Sequence, residues 1–397
     1  FLSRNGYPYE WVDVDHQDRV AAFAYVTEVD PTRLPLCILP NGTRLAPATV
    51  EQVASGLGMI SAPALSEYDL AVIGAGPAGL AAAVYGASEG LRTVVVEAVA
   101  PGGQAGTTSM IENYLGFPQG VSGSELATRA SAQARRFGAE ILLARRLADV
   151  SPDGPGYVAQ LSDGTQIPVR ALVMASGVEW RRLAVPGIEE LLGAGVYYGA
   201  GPSEALSCAG THVVVVGGGN SAGQAAVRFS RYASRVTMLV RGASLEASMS
   251  QYLIDDISRL SNVDVWTGAQ VVGVEADDRL RRIVVAPADG PDVVRLAADA
   301  LFICIGGMPR TDAATGLGLL SDDSGYLLTG TDLIGRVGPG EGWPLSRQPL
   351  PLETNRPGLF AAGDVRHGSI KRCAAAIGEG AMAVALVHQR LRETGGD

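Results

Sequence analysis

Two glycine-rich turns, each behind a run of strand-forming residues, constrain this chain more than any other feature. In the first, Leu70-Ala71-Val72-Ile73 runs directly into Gly74-Ala75-Gly76-Pro77-Ala78-Gly79; in the second, Val213-Val214-Val215-Val216 runs into Gly217-Gly218-Gly219-Asn220-Ser221-Ala222. An unbroken aliphatic run of this length reads as a strand buried on both faces. Small residues in the turn let a pyrophosphate approach main-chain N–H groups at a helix N-terminus, where the dipole favours anions. Two such openings, about 140 residues apart, predict an α/β chain with two nucleotide-binding domains.

The residues downstream of each turn sharpen the expectation. After the first, Leu80-Ala81-Ala82-Ala83 continues a helix, and the next strand, Thr93-Val94-Val95-Val96, ends at Glu97. An acid there is placed to accept a hydrogen bond from a ribose 2′-hydroxyl. After the second turn, where Ala222 replaces the third glycine, the strand Arg235-Val236-Thr237-Met238-Leu239-Val240 ends in Arg241. An arginine at that position favours the 2′-phosphate of NADPH, with NADH the alternative ligand and an ordinary exposed arginine the competing reading.

Composition narrows the partners. Glycine makes up 51 of 397 residues without a Gly-X-Y period, which fits tight turns and close backbone approaches. The net charge of −10 leaves no basic surface for nucleic acid or an anionic membrane. No apolar run reaches the roughly 20 residues of a membrane span, and no secretory signal is present. The four cysteines, Cys37, Cys208, Cys304 and Cys373, are too few and too dispersed for a disulfide framework or a zinc site. A metal-free, cytoplasmic protein is the expectation. The chain opens at Phe1 in what reads as mid-helix, so further residues are expected before it.

From Phe1 to about Ala64 the order is a polar helix end at residues 2–6, an alternating strand at Tyr9-Glu10-Trp11-Val12-Asp13-Val14, a helical stretch, a hairpin turning at Pro40-Asn41-Gly42-Thr43, and a helix over 49–57. This order resembles the later part of a thioredoxin or glutaredoxin fold, with Pro35 at the cis-proline position. A small docking or dimerisation domain without chemistry is the competing account.

The remaining motifs gain meaning from their order. They are Pro101-Gly102-Gly103-Gln104, Ile111-Glu112-Asn113-Tyr114, Met174-Ala175-Ser176-Gly177, Ile305-Gly306-Gly307-Met308-Pro309 and Ala361-Ala362-Gly363-Asp364-Val365. Together with the two glycine turns, and from about Glu67 to His388, the chain resembles the low-molecular-weight thioredoxin reductase family of flavoproteins. The resemblance implies two Rossmann-like, three-layer domains, one for FAD and one for NAD(P)H, beside a truncated thioredoxin-like N-terminal domain at residues 1–64. The FAD domain would be discontinuous, 66–184 with 299–397, and the nicotinamide domain would occupy 185–298. It also implies a homodimer, and residues 1–64 offer a surface for a protein partner.

By the same resemblance, Gly74, Gly76 and Gly79 hold the FAD pyrophosphate, with Pro77 and Ala78 in the same turn, and Glu97 binds the adenosine ribose. Gly103, Gln104 and Asn113 would lie near the isoalloxazine; Ser176, Gly177, Gly363 and Asp364 would complete the FAD site, Asp364 at the ribityl chain. Arg372, Cys373 and Ala374 would start a helix facing the flavin; buried structural roles are the expectation for all four cysteines, with Cys373 the exception to check because a helix N-terminus lowers a thiol's pKa. Gly217, Gly219, Asn220, Ser221 and Arg241 would hold the nicotinamide nucleotide.

One departure carries weight. The family has a Cys-x-x-Cys-Asp shortly before the second glycine turn, and here the corresponding residues are Ala200-Gly201-Pro202-Ser203-Glu204. The expected activity is therefore electron transfer from NAD(P)H through FAD to an acceptor other than thioredoxin: O2, a small organic substrate or a redox partner. An accessory flavoprotein docked on a larger assembly, or a thiol–disulfide reductase using cysteines beyond this chain, are the alternatives. Glu204 is the one acid/base candidate. A second departure is the added stretch from Gly330 to Glu353, expected to be either functional or a surface contact.

Overall fold

The computed structural model describes all residues except 13, 15–18, 21–29, 109–110, 112–113, 193, 200–204, 206–207, 288–289, 291, 337, 340–341 and 396–397. It divides into two compact units, Phe1–Gly177 with Pro309–Asp397, and Val178–Met308. The expected hinges near 184–187 and 299–300 lie inside the second unit. The reason is local: Val178–Trp180 pairs with Gly307–Pro309, and the Arg181 N–H donates to the Gly306 carbonyl. These approach segments therefore stay with the insert.

The first unit is built on a seven-stranded sheet. Its parallel part runs in the order Glu140–Leu143, Thr93–Glu97, Tyr68–Ile73 and Gln166–Met174. The last of these is long enough to pair with Leu359–Ala361 through its C-terminal half and antiparallel with Gly156–Leu161 through its N-terminal half. Strict alternation sorts the side chains. Leu70, Val72, Val95 and Val173 face one core with the alanines of helices Pro77–Ser88 and Cys373–Glu393, while Ala71, Ile73, Val94, Val96, Leu172 and Met174 face another with Leu147, Val150 and Tyr157. The two helices approach closely because Gly380 has no side chain; a Cβ there would overlap the Ala78 carbonyl.

The second unit carries a parallel five-stranded sheet in the order Val196–Tyr198, Ala300–Ile303, His212–Val216, Arg235–Val240 and Val263–Thr267. Val213, Val215 and Phe302 pack under Phe229 of helix Asn220–Phe229; Val214, Leu301 and Ile303 meet Ile283 and Val285 of an antiparallel three-stranded sheet. Both sheets are thus covered on both faces, as parallel strands require. The chain has the α/β architecture expected of the sequence. Among the described residues no helix is long and apolar enough to cross a membrane.

The N-terminal segment departs in part from expectation. A hairpin joins Cys37–Ile38 to Arg44–Leu45, and helix Val50–Gly56 starts at a capping box between Thr49 and Gln52. Leu34–Pro35 is cis. The expected strand over 9–14 is not formed: the described residues 7–12 are irregular, and Tyr9 and Trp11 are exposed at 53% and 74%. Alternation creates a strand only where a partner strand supplies its hydrogen bonds. Most of the helical stretch lies outside the described residues.

The added stretch 330–353 is a packed flap. Trp343, with 2% of its surface exposed, clusters with Leu328 and Leu333 and donates from Nε1 to the Arg347 carbonyl at 2.5 Å. Arg347 in turn reaches the fully buried Glu353 and, on the C-terminal helix, Glu393.

Candidate functional site

The same backbone device occurs at both glycine turns. In the first unit Gly74 has φ +101°, and a Cβ there would sit 2.5 Å from the Ala175 carbonyl oxygen, so the strand ends can only lie this close with glycine. A Cβ at Gly79 would overlap the Gly74 carbonyl, so Gly79 serves helix–strand packing. Gly76 differs. It is the N-cap of helix Pro77–Ser88 in ordinary extended geometry, and its missing side chain faces open space, with only the Gly103 Cα at 3.9 Å. The helix cap has no side-chain hydrogen bond, so its first N–H groups are left for an external acceptor.

In the second unit Gly217, at φ +143°, lies against the Cys304 carbonyl, Ala222 is fully buried, and Gly219 caps helix Asn220–Phe229 with only the Ser248 carbonyl 3.8 Å from its missing Cβ. Asn220 Oδ1 accepts from the Ser250 N–H at 2.7 Å, and Ser248 Oγ donates to the Gly218 carbonyl at 2.9 Å. Those two serines were not indicated by the motif, because the segment they tie down is distant in sequence. Ser221 is exposed, and Arg241, just past the strand end, is exposed with no hydrogen bond or ion pair among the described residues.

Around the first turn, Glu97 acts as a hub. Its Oε2 accepts from the Ala75 N–H at 2.7 Å, and its Oε1 accepts from the N–H groups of Val99 at 2.8 Å and Ala100 at 3.2 Å. A carboxylate offers about four acceptor positions, so one remains on Oε2 for a hydroxyl. Gly102 N–H donates to the Ala75 carbonyl at 2.7 Å, which seats Gly103 against Gly76. Gln104 begins the short turn Ala105–Thr107. Ser176 Oγ donates to the Arg310 carbonyl at 2.6 Å, and Gly177 accepts from the Arg310 N–H at 3.0 Å, holding that strand end in place.

On the same unit the Gly363 N–H donates to Glu379 Oε2 at 2.7 Å. Asp364 beside it is half-buried, and its carboxylate accepts no hydrogen bond among the described residues; burial pushes its pKa up against the pull of Lys371. A half-buried carboxylate with no donor from the described residues has acceptor positions available for a sugar or ribityl hydroxyl. Arg372 is the N-cap of Cys373–Glu393, with Cys373 and Ala374 in its first turn. Burial, then the charge of Asp364, pushes the Cys373 thiol up, in line with a structural rather than a reactive cysteine. Cys304 is pushed up to about 12 by burial, and Cys208 is also buried. Asn113 and Glu204 lie outside the described residues.

These features fit the groups expected of them: an open N-cap glycine beside a packed one in each turn, an acid hub under the first, an exposed guanidinium without a partner among the described residues after the second, and a half-buried carboxylate at Asp364. The sequence profile of the pyridine nucleotide-disulphide oxidoreductase family matches residues 68–380. The chain is 34% identical over 321 residues to a thioredoxin reductase of Listeria monocytogenes, covering 80% of this chain and 91% of the relative. It is 32% identical over 329 residues to a Bacillus subtilis thioredoxin reductase, covering 82% and 95%. The crystal structure of Lactococcus lactis thioredoxin reductase superimposes with a TM-score of 0.73 at 26% identity, over 82% of this chain and 100% of that one. The chain belongs to the pyridine nucleotide-disulphide oxidoreductase family, and it is a thioredoxin reductase-like, FAD-dependent NAD(P)H oxidoreductase whose cofactors are FAD and NADPH.

Proposed function

We propose that the first unit holds FAD, the second holds NADPH, and the electrons leave to an acceptor other than thioredoxin. The observation that carries this reading is in the sequence: Ala200, Gly201, Pro202 and Ser203 occupy the stretch before the second glycine turn, and no two of the four cysteines stand in a Cys-x-x-Cys. FAD held in the first unit would supply the redox chemistry, hydride acceptance from NADPH. The chain's own residues bind and orient. The N–H groups after Gly76 hold the pyrophosphate, the remaining acceptor position on Glu97 takes the ribose, and Asp364 takes a ribityl hydroxyl. The open amides at the start of Cys373–Glu393 favour negative charge beside them. Glu204 is the acid/base candidate on the acceptor side, and O2, small organic molecules and redox partners are the acceptor classes.

The experiment is a rapid-mixing screen of enzyme reduced anaerobically with NADPH. Reoxidation by O2, a quinone or another small acceptor, with thioredoxin slow, is the expected result. Turnover with thioredoxin as fast as with any small acceptor would contradict it.

Arg241 supplies the preference for NADPH in this reading, because an unpaired guanidinium matches a 2′-phosphate and gains nothing from a bare hydroxyl. Arg241→Glu should lower the ratio of kcat/KM for NADPH over NADH by about tenfold or more, the loss of a charge-assisted hydrogen bond. Steady-state kinetics with both nucleotides measures it, and an unchanged ratio removes Arg241 from the account.

A further inference from the structure

The N-terminal segment touches the first nucleotide cradle through its opening turn. The short turn Ser3–Asn5 sits against residues 99–103: Arg4 Nη2 donates to the carbonyls of Ala100 at 3.1 Å and Gly103 at 2.9 Å, and Asn5 Nδ2 donates to the Val99 carbonyl at 3.0 Å. Gly103 is itself packed on Gly76, its missing Cβ lying 3.0 Å from the Gly76 Cα. Arg4 is therefore one residue away from the open N-cap that receives the pyrophosphate.

The charge of Arg4 is unmatched. Both hydrogen bonds come from a single nitrogen, which leaves Nε and Nη1 without a partner among the described residues. Arg4 forms no ion pair within 4.0 Å among those residues. Glu97 acts on Arg4 electrostatically, and its oxygens already accept from Ala75, Val99 and Ala100. Burial works against the guanidinium, and Glu97 only partly offsets this. Arg4 is exposed at the rim, and a cation with spare donors, tethered beside a phosphate cradle, matches an anion carrying two charges.

We propose that Arg4 belongs to the FAD site: the N-terminal segment lends it to hold the Gly103 turn and to offset the charge of the pyrophosphate. This rests on the assignment of FAD to the first unit. Acting partly through Gly103, Arg4 is a positioning residue, and its contribution is to cofactor affinity. The segment before the first glycine turn is thus a working part of the cofactor site, reaching it across more than ninety residues of sequence.

The test compares Arg4→Gln, which keeps hydrogen-bond donors without charge, with Arg4→Lys, which keeps the charge. FAD is stripped from each full-length protein, and rebinding is followed by flavin fluorescence at low and high salt. Arg4→Gln should bind FAD about tenfold or more weakly at low salt, with the gap narrowing as salt screens the charge. Arg4→Lys should recover most of the affinity. The thermal stability of the stripped protein and its NADPH affinity should not change with either substitution. Equal FAD affinity in Arg4→Gln and wild type would overturn the proposal. So would equal loss in Arg4→Gln and Arg4→Lys. A wild-type protein that binds no FAD would instead overturn the assignment beneath it.

Discussion

Replacing Gly76 with alanine should leave the folded chain as stable as before and cost it FAD. The backbone at Gly76 is extended and tolerates any residue, and a Cβ there meets nothing in the protein closer than the Gly103 Cα at 3.9 Å. The space it would fill is the approach to the first helix amides, so the methyl group collides with bound pyrophosphate rather than with the fold. An overpacking cost of about 1–3 kcal/mol translates to roughly fivefold to 150-fold weaker FAD binding. Gly79→Ala is the contrasting substitution. Its Cβ would overlap the Gly74 carbonyl, a backbone atom that cannot step aside cheaply, so the stripped protein itself should lose stability. Thermal melts of the stripped proteins alongside FAD titrations distinguish the two. If Gly76→Ala melts early while its residual affinity is unchanged, Gly76 is a packing residue, and the turn is not a pyrophosphate cradle.

The second large effect is expected far from either turn, at Arg347. Glu353 is fully buried and accepts from Arg347 Nη1 at 2.7 Å and Nη2 at 3.1 Å, and also from the N–H groups of Leu350 and Gly358. Arg347 Nε and Nη2 bond Glu393 at 2.6 and 2.9 Å. Burial disfavours the Arg347 charge, but its bonds to Glu353 and Glu393 outweigh this and hold its pKa above the ordinary value. Arg347→Ala strands the Glu353 carboxylate in the interior, a change that costs about 3–5 kcal/mol. At a few degrees per kcal/mol for a unit of this size, the melting temperature should fall on the order of 10 °C. Burial pushes the Glu393 carboxyl up, and Arg347 more than reverses it, so its pKa lies below the ordinary 4.5. That part of the stabilisation is present above the ordinary value and fades as pH falls through the lowered one, so the gap between variant and wild type should narrow in acid. A melting temperature within a degree or two of wild type at neutral pH would mean the flap is not held by this cluster.

The sequence made some of this legible and hid the rest for identifiable reasons. Both cradles could be read directly, because strand, glycine turn and helix are contiguous and their chemistry is local. Helix Val50–Gly56 was similarly readable from its local pattern, and so was the hairpin at Cys37–Leu45. Tyr9–Val14 misled because alternation marks a residue pattern, whereas a strand needs a neighbour that only the fold supplies. Arg4, Asn5, Glu353 and Ser250 were invisible for a related reason: their partners are set by the fold, and no local pattern records them.

The central claim is that two separate backbone cradles in one polypeptide bind a flavin and a nicotinamide nucleotide that react with each other. An anaerobic titration of the purified full chain with NADPH, followed through the visible flavin band, tests it most directly. The account predicts close to one acid-extractable FAD per chain and bleaching of that band by about one equivalent of NADPH. A chain that stays folded yet takes up no FAD, or that binds FAD which NADPH leaves oxidised, would contradict it.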